Sequence, residues 1–384
     1  MGYFQNVKKN FKFKYSISYI AIIAFLVLMI LLSSTGVLGR SSVGLLSRIA
    51  YSIIMAVSLN LVVGFLGELS LGHAGFMCIG AYIGCFVANA LNEVIPSQLL
   101  VLIIAMLVGA VAAGIFGFII GLPALRLKGD YLAIVTLAFG EIVRNVFKNL
   151  PWFGGAKGFS TTVYDPSSLY IVAFIMVLVV LFLTQNLIRS KHGRAVTAIR
   201  DNEIAAKAMG INVTFYKLLV FVVSAAFAGI AGVIYGHFVT PVLYSFFSYN
   251  YSIEVLVMVV LGGMGSLNGS IIAAVLITWI NFKLQSELSG DLAAVKLLVY
   301  ALILVIVVLF NNAPGLQRYR EAVSLKNWLN KRARRKAETV VEDSVVWARV
   351  PSKIPMDEVL SVDLRAEEAL PAQDETGKEE NLNG

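Results

Sequence analysis

The chain has 384 residues, of which 58% are hydrophobic and only 14% charged, with a mean hydropathy of +0.80 and a formal net charge of +8. Soluble domains carry about 25% charged residues, so a water-soluble globular fold is excluded and much of the surface must meet lipid. The positive charge does not indicate nucleic acid, because Lys and Arg gather in short segments flanking apolar runs, the pattern that orients a membrane protein.

A crossing helix needs roughly 20 mostly apolar residues. In chain order the candidate spans are 17–36, 45–66, 70–91, 97–121, 130–149, 168–188, 217–239, 251–263, 269–285 and 293–311. The first apolar run, from Ile17 to Leu32, follows a basic N-terminus (1–16) and reads as an uncleaved span. The fifth span is the least hydrophobic, and the eighth is too short to cross unaided. The expected fold is an all-α polytopic membrane protein: a helical bundle of eight to ten transmembrane helices, some of them broken, filling 17–311. The crossing count is least determined around 251–285.

Basic residues set the orientation. Lys8, Lys9, Lys12 and Lys14 precede the first span, and Arg126 and Lys128 follow the fourth. Arg189, Lys191, Arg194, Arg200, Lys207 and Lys217 follow the sixth, whereas 92–97 and 240–250 contain no Lys or Arg. Ten crossings from a cytoplasmic N-terminus put every rich segment, and the C-terminus, on the cytoplasmic side of a bacterial inner membrane. Beyond Asn312, Pro314 and Gly315 a hydrophilic tail (312–384) runs basic from Arg318 to Lys336 and then acidic. Its first part fits an interfacial helix, and the last forty or so residues have the composition of a disordered segment.

Gly64-Phe-Leu-Gly67-Glu68-Leu-Ser70-Leu-Gly72-His73-Ala-Gly75 places four glycines in twelve residues, a poor continuous helix. Broken helices persist in membranes where the freed backbone is packed in protein or lines a cavity. Two readings fit: a break beside the transport path with Glu68, Ser70 and His73 near the permeant, or a tight turn at the cytoplasmic interface. A second interruption, Leu261-Gly-Gly-Met-Gly-Ser-Leu-Asn-Gly-Ser270, either lines the path with Gly262 and Gly263 or permits close helix packing. Glu254 faces a wet cavity or the outer interface. In the fifth span Glu141 and Arg144 are three apart and can pair on one face; Thr136, Phe139 and Glu141 are candidate path residues, with a structural ion pair as the alternative. Cys78 and Cys85, seven apart, cannot bond each other within one helix and read as small packing residues.

The loop 189–217 is the strongest candidate for a partner site. Asp201 or Asn202 can cap a two-turn helix whose Ala205, Ala206, Ala208 and Met209 form a small-residue face ended by Gly210. So short a helix is not stable alone and suits a groove in another protein, although an ordinary interfacial helix would also carry the caps. There is no G-x-x-x-x-G-K-[ST] loop, no H-E-x-x-H, no paired cysteine ligands and no nucleophile elbow. The expectation is therefore a transporter or channel, not an enzyme, with no catalytic residue, bound metal or cofactor of its own.

Four segments in order resemble a known family: SLNLVVGFLGELSLGHAGF (58–76), GLPALRLKGDYLAIVTLAFGEIVRN (121–145), GRAVTAIRDNEIAAKAMGI (193–211) and VVLGGMGSLNGSIIAA (259–274). They resemble the permease subunits of branched-chain amino-acid ABC importers, specifically the longer of the two paired permeases. The resemblance implies the ABC-importer permease fold and a channel shared with a second permease subunit. It also implies two cytoplasmic ATP-binding subunits that use ATP and Mg, and a periplasmic or extracellular substrate-binding protein. In such importers a cytoplasmic helix docks on the ATPase, a role that falls on Arg194, Arg200, Asp201, Glu203, Ala205, Ala206, Met209 and Gly210. Leucine, isoleucine and valine are the implied cargo. Urea, short amides or other hydrophobic amino acids are the alternative, and an ATP-independent secondary transporter the more distant one.

Overall fold

A computed structural model describes residues 22, 40–127, 129–162, 164, 166–287, 302 and 305. The expected first and last spans (apart from Ile22, Leu302 and Val305), the N-terminal lysines, Lys128 and the tail 312–384 lie outside these residues.

The described chain is a succession of helices. Helix α1 (Arg40–Asn60) runs on into a π-helical turn, Leu61–Leu66, which Gly67 stops in the left-handed region at φ +83°. The side chain of any other residue at Gly67 would also collide with Arg200. Then come α2 (His73–Asn92), α3 (Gln98–Ala124) and α4 (Asp130–Asn149). Two 3₁₀ turns, Pro151–Phe153 and Gly155–Lys157, lead to α5 (Pro166–Arg189). The short α6 (Lys191–Asp201) and α7 (Glu203–Ala208) precede α8 (Val213–Phe238). A 3₁₀ turn at Tyr244–Phe247 opens α9 (Tyr249–Gly262), and α10 (Leu267–Glu287) follows. Among the described residues there is no strand, only an isolated bridge between Phe159 and Val242.

Six of these helices are long and apolar enough to cross a membrane: α1 with its π extension, α2, α3, α5, α8 and α10. Helix α4 has the length but is more polar, and the 14 residues of α9 reach only about 21 Å. The seventh span starts four residues before its expected position because the Asn212 side chain accepts from the Phe215 amide and caps α8 there. The partner-site loop is shortened accordingly, and Lys217 belongs to α8.

Helix α8 sits at the centre, packed on α1, α2 and α3. Glycines allow it: Gly80 of α2 lies against the backbone of Gly229 on α8, Gly109 of α3 against both, and Gly232 against the Met77 carbonyl. Without a hydrophobic drive between helices in lipid, close backbone approach is what makes such contacts favourable. Helix α3 turns Leu99, Ile103, Leu107, Val111, Ile115 and Phe118 outward, a purely aliphatic and aromatic stripe suited to hydrocarbon. At the end opposite α6 and α7 the bundle is filled by rings. Tyr82 stacks on Phe147 at 4.6 Å with Phe153 edge-on to both, and Tyr235 stacks on Phe246 at 4.1 Å.

Candidate functional site

Helices α6 and α7 are held by their own polar caps. Ser190 accepts from the amides of His192 and Gly193, and Asn202, one of the two expected caps, accepts from Ala205. Gly210, at φ +80°, ends the unit. Ile204 on α7 is 80% exposed and Met209, just after it, 82%, while Ala206 is only 4% exposed. Ala206, grouped from the sequence with the partner-facing residues, instead packs inward; Ala205 and Met209 face out. Ile204 escapes the sequence because a lone isoleucine beside three alanines gives no periodic signal on two turns of helix.

Two charged residues of this unit, Arg200 and Glu203, reach the bundle. Arg200 donates to the Gly64 carbonyl at 3.0 Å and pairs with the exposed Asp201 at 3.1 Å. Glu203 meets Lys217 of α8 at 3.1 Å, and Lys217, its side chain 4% exposed, meets Glu68 at 2.5 Å. One buried ammonium thus ties the first glycine interruption to α7. Arg194 donates to the Arg189 carbonyl at 3.5 Å.

The two glycine interruptions touch. Asn60, at the end of α1, accepts from the Gly265 amide at 2.9 Å and donates to Ser270 at 3.0 Å. Gly64 is hemmed by Asn60 and the Gly265 backbone, and Gly262 lies against Gly269 across the second interruption. Gly263 supplies the positive φ (+89°) that ends α9. Freed backbone groups at 67–75 find side chains on other helices: Leu71 donates to Thr136 at 3.1 Å and Ala74 to Ser252 at 3.0 Å. Both interruptions therefore act as packed joints within this chain.

His73 is fully buried, with Nε2 2.9 Å from the hydroxyls of both Ser58 and Ser224. Each serine spends its proton on the other's carbonyl, at 2.7 Å, so both hydroxyls can only accept from the ring. His73 must then carry its proton on Nε2, and Nδ1 meets no hydrogen-bond partner among the described residues; nor does the buried Ser70 hydroxyl. Thr136 and Phe139 point into the bundle, Phe139 against Phe76 at 5.1 Å. Glu141 pairs with Arg144 at 2.6 Å, as the spacing allowed, and also accepts from the first amide of α9, Tyr249, at 3.0 Å. Glu254 accepts from Asn281, joining α9 to α10. The residues selected from sequence thus divide into two bonded sets (Glu68 and Glu203 on Lys217; Arg200 with Asp201 and the Gly64 carbonyl), the glycines of the second interruption, and others on separate contacts. Among the described residues no cluster of His, Cys, Asp and Glu fits a metal.

The family described as "Branched-chain amino acid transport system / permease component" matches residues 41–308. The high-affinity branched-chain amino acid transport system permease protein LivM of Salmonella typhimurium is 35% identical over 297 residues, covering 67% of this chain and 65% of that protein. A probable LivM of Methanocaldococcus jannaschii is 32% identical over 203 residues, 48% of this chain and 57% of that one. The high-affinity permease protein LivH of Salmonella typhimurium is 27% identical over 149 residues, 38% and 47% of the two chains. The match thus spans just under two thirds of the length of the Salmonella LivM relative.

Proposed function

This chain belongs to the branched-chain amino acid transport system permease component family, and on that premise we propose that it forms half of the membrane pathway of an ATP-driven importer of leucine, isoleucine and valine. A second permease of the same family completes the pathway, as the similarity to both LivM and LivH suggests. Two cytoplasmic ATP-binding subunits bind and hydrolyse ATP with Mg, and a soluble binding protein delivers the amino acid from outside. The chain itself performs no covalent chemistry. It lies in the bacterial inner membrane with α6 and α7 on the cytoplasmic side, where its basic loops belong.

The observation that carries this reading is the linkage from α7 to the glycine joints. Ile204 and Met209 are each exposed apolar side chains fit to enter a groove on an ATPase subunit. Behind them, Glu203–Lys217–Glu68 and Arg200–Gly64 run directly into the joint between α1 and α2. When nucleotide closes the ATPase dimer, α7 moves with it, and these bonds pass the displacement to the joint. Asn60 hands it on to the second interruption, so both broken segments shift together and the pathway changes the face to which it opens.

The test is uptake of radiolabelled leucine into vesicles that hold the complete complex, with ATP inside and binding protein outside. Uptake that requires both, and that isoleucine and valine compete, is expected. ATP-driven uptake of another solute would retain the architecture and overturn the cargo; uptake by this chain alone, indifferent to ATP, would overturn the whole reading.

A further inference from the structure

Helix α4 turns a different face outward from α3. Along it Glu141, Asn145 and Asn149 recur every fourth residue and lie in one row; Ile142, Val146 and Leu150 recur in the same way and form the adjoining row. These six residues line an open hollow of about 520 Å³ on the face of α4, and its surface is almost wholly apolar. The two carboxamides are oriented by the helix itself. Asn145 donates its amide to the Glu141 carbonyl and Asn149 to the Asn145 carbonyl, each at 2.8 Å. A carboxamide whose nitrogen is turned onto the helix presents its oxygen away from it, so one row offers two acceptor oxygens a helical turn apart, with no donor among the described residues. At their base lies the Glu141 carboxylate, fixed by Arg144 and the Tyr249 amide. The neighbouring row is purely aliphatic.

Such a surface is costly against hydrocarbon, where a carboxamide oxygen lacks a donor. It matches a small zwitterion with a branched aliphatic side chain: the ammonium, with three donors and no acceptor, needs oxygens, and the side chain needs an aliphatic wall. We propose that the Asn145–Asn149 oxygens and the Ile142–Val146–Leu150 row form a subsite for the imported amino acid near the far mouth of the pathway. Its ammonium sits on the asparagine oxygens, its side chain on the aliphatic row, and its carboxylate toward the open side. This inference rests on the proposed function, under which the paired permease supplies the opposite wall. The same two rows give the subsite a selectivity: an amine lacking the aliphatic chain, or an aliphatic acid lacking the ammonium, satisfies only one of them.

Cysteine labelling tests it in the complete complex. Cys78 and Cys85 are buried and leave a quiet background. Val146→Cys and Asn149→Cys are expected to react from outside with a charged methanethiosulfonate reagent and to be shielded by leucine, whereas Leu107→Cys on the α3 stripe stays unreactive. Separately, the double change Asn145→Leu, Asn149→Leu should raise the KM for leucine uptake by more than about tenfold, since it removes both oxygens on which the ammonium sits. Reaction at 146 and 149 that leucine does not slow would make this a merely solvated surface, and no reaction would make it a lipid or protein interface; either outcome overturns the subsite. An unchanged KM in the double variant overturns it as well. A wild-type complex that does not carry leucine would instead overturn the proposed function, so the two failures are distinguishable.

Discussion

The two ends of this bundle are held together by different physics. At the end that carries α6 and α7, the contacts are directional and few: Arg200 on one carbonyl, Lys217 between two carboxylates, Asn60 bridging two interruptions. At the far end Tyr82, Phe86, Phe147, Phe153 and Phe159 meet through ring faces and edges, among neutral hydrogen bonds such as those from Tyr82 to the Val242 carbonyl and from Thr161 to the Gly236 carbonyl. Rings can slide over one another at little cost, because many stacked and tilted arrangements differ by fractions of a kcal/mol. A charge pair in a buried setting has one good arrangement and loses heavily when it is broken. The difference is one of charge: under the proposed function the ion-paired end would serve as the linkage and the ring-filled end, held by neutral contacts, as the seal.

The sharpest way to break this comparison is Lys217→Met. It leaves Glu68 and Glu203 facing each other without the ammonium, and removing one partner of a buried pair costs about 3–5 kcal/mol. A marked fall in the melting temperature of the purified complex is expected, with loss of uptake. Adding Glu68→Gln and Glu203→Gln should restore the melting temperature but not the coupling of ATP hydrolysis to uptake. Recovery of both would mean that the cluster only stabilises the fold.

Next in size is Ile204→Asp, which should leave this chain folded, since the side chain is in solvent, while weakening retention of the ATPase subunits by about 2 kcal/mol, or some thirtyfold, as for a central interface residue. Co-purification measured against salt and detergent would reveal it, and unaltered retention would remove α7 from the interface. Ala206→Asp is the poorer probe, because it would put a carboxylate into packed interior. The smallest effect is expected at the seal: Phe153→Leu should cost about 0.5–1.5 kcal/mol and leave uptake near the wild-type rate. A loss of uptake there as severe as at Lys217 would erase the distinction between linkage and seal.

Much of this was legible in the sequence. Span positions follow from apolar runs of a fixed length, and both interruptions were visible as glycine clusters. The Glu141–Arg144 pair followed from helical spacing, and the capped loop from Asn202 and Gly210. What could not be read was rotational phase. Thr136 and Phe139 face inward and Asn145 and Asn149 outward because Gly72 and Gly75 let α2 close on one side of α4, a choice made by packing between distant segments. The partners of Glu68 were hidden for the same reason: Lys217 is 149 residues away, and nothing local announces the pairing.

The glycine seam of α2, α3 and α8 has a consequence for inheritance. Gly80, Gly109 and Gly229 meet backbone to backbone, so every missense change in their codons adds atoms where another chain segment already stands. The aliphatic stripe of α3 can drift among Leu, Ile, Val and Phe with no neighbour to object. Deleterious variants should therefore accumulate along a narrow line of the smallest residue, while the outward side chains of α3 wander almost freely.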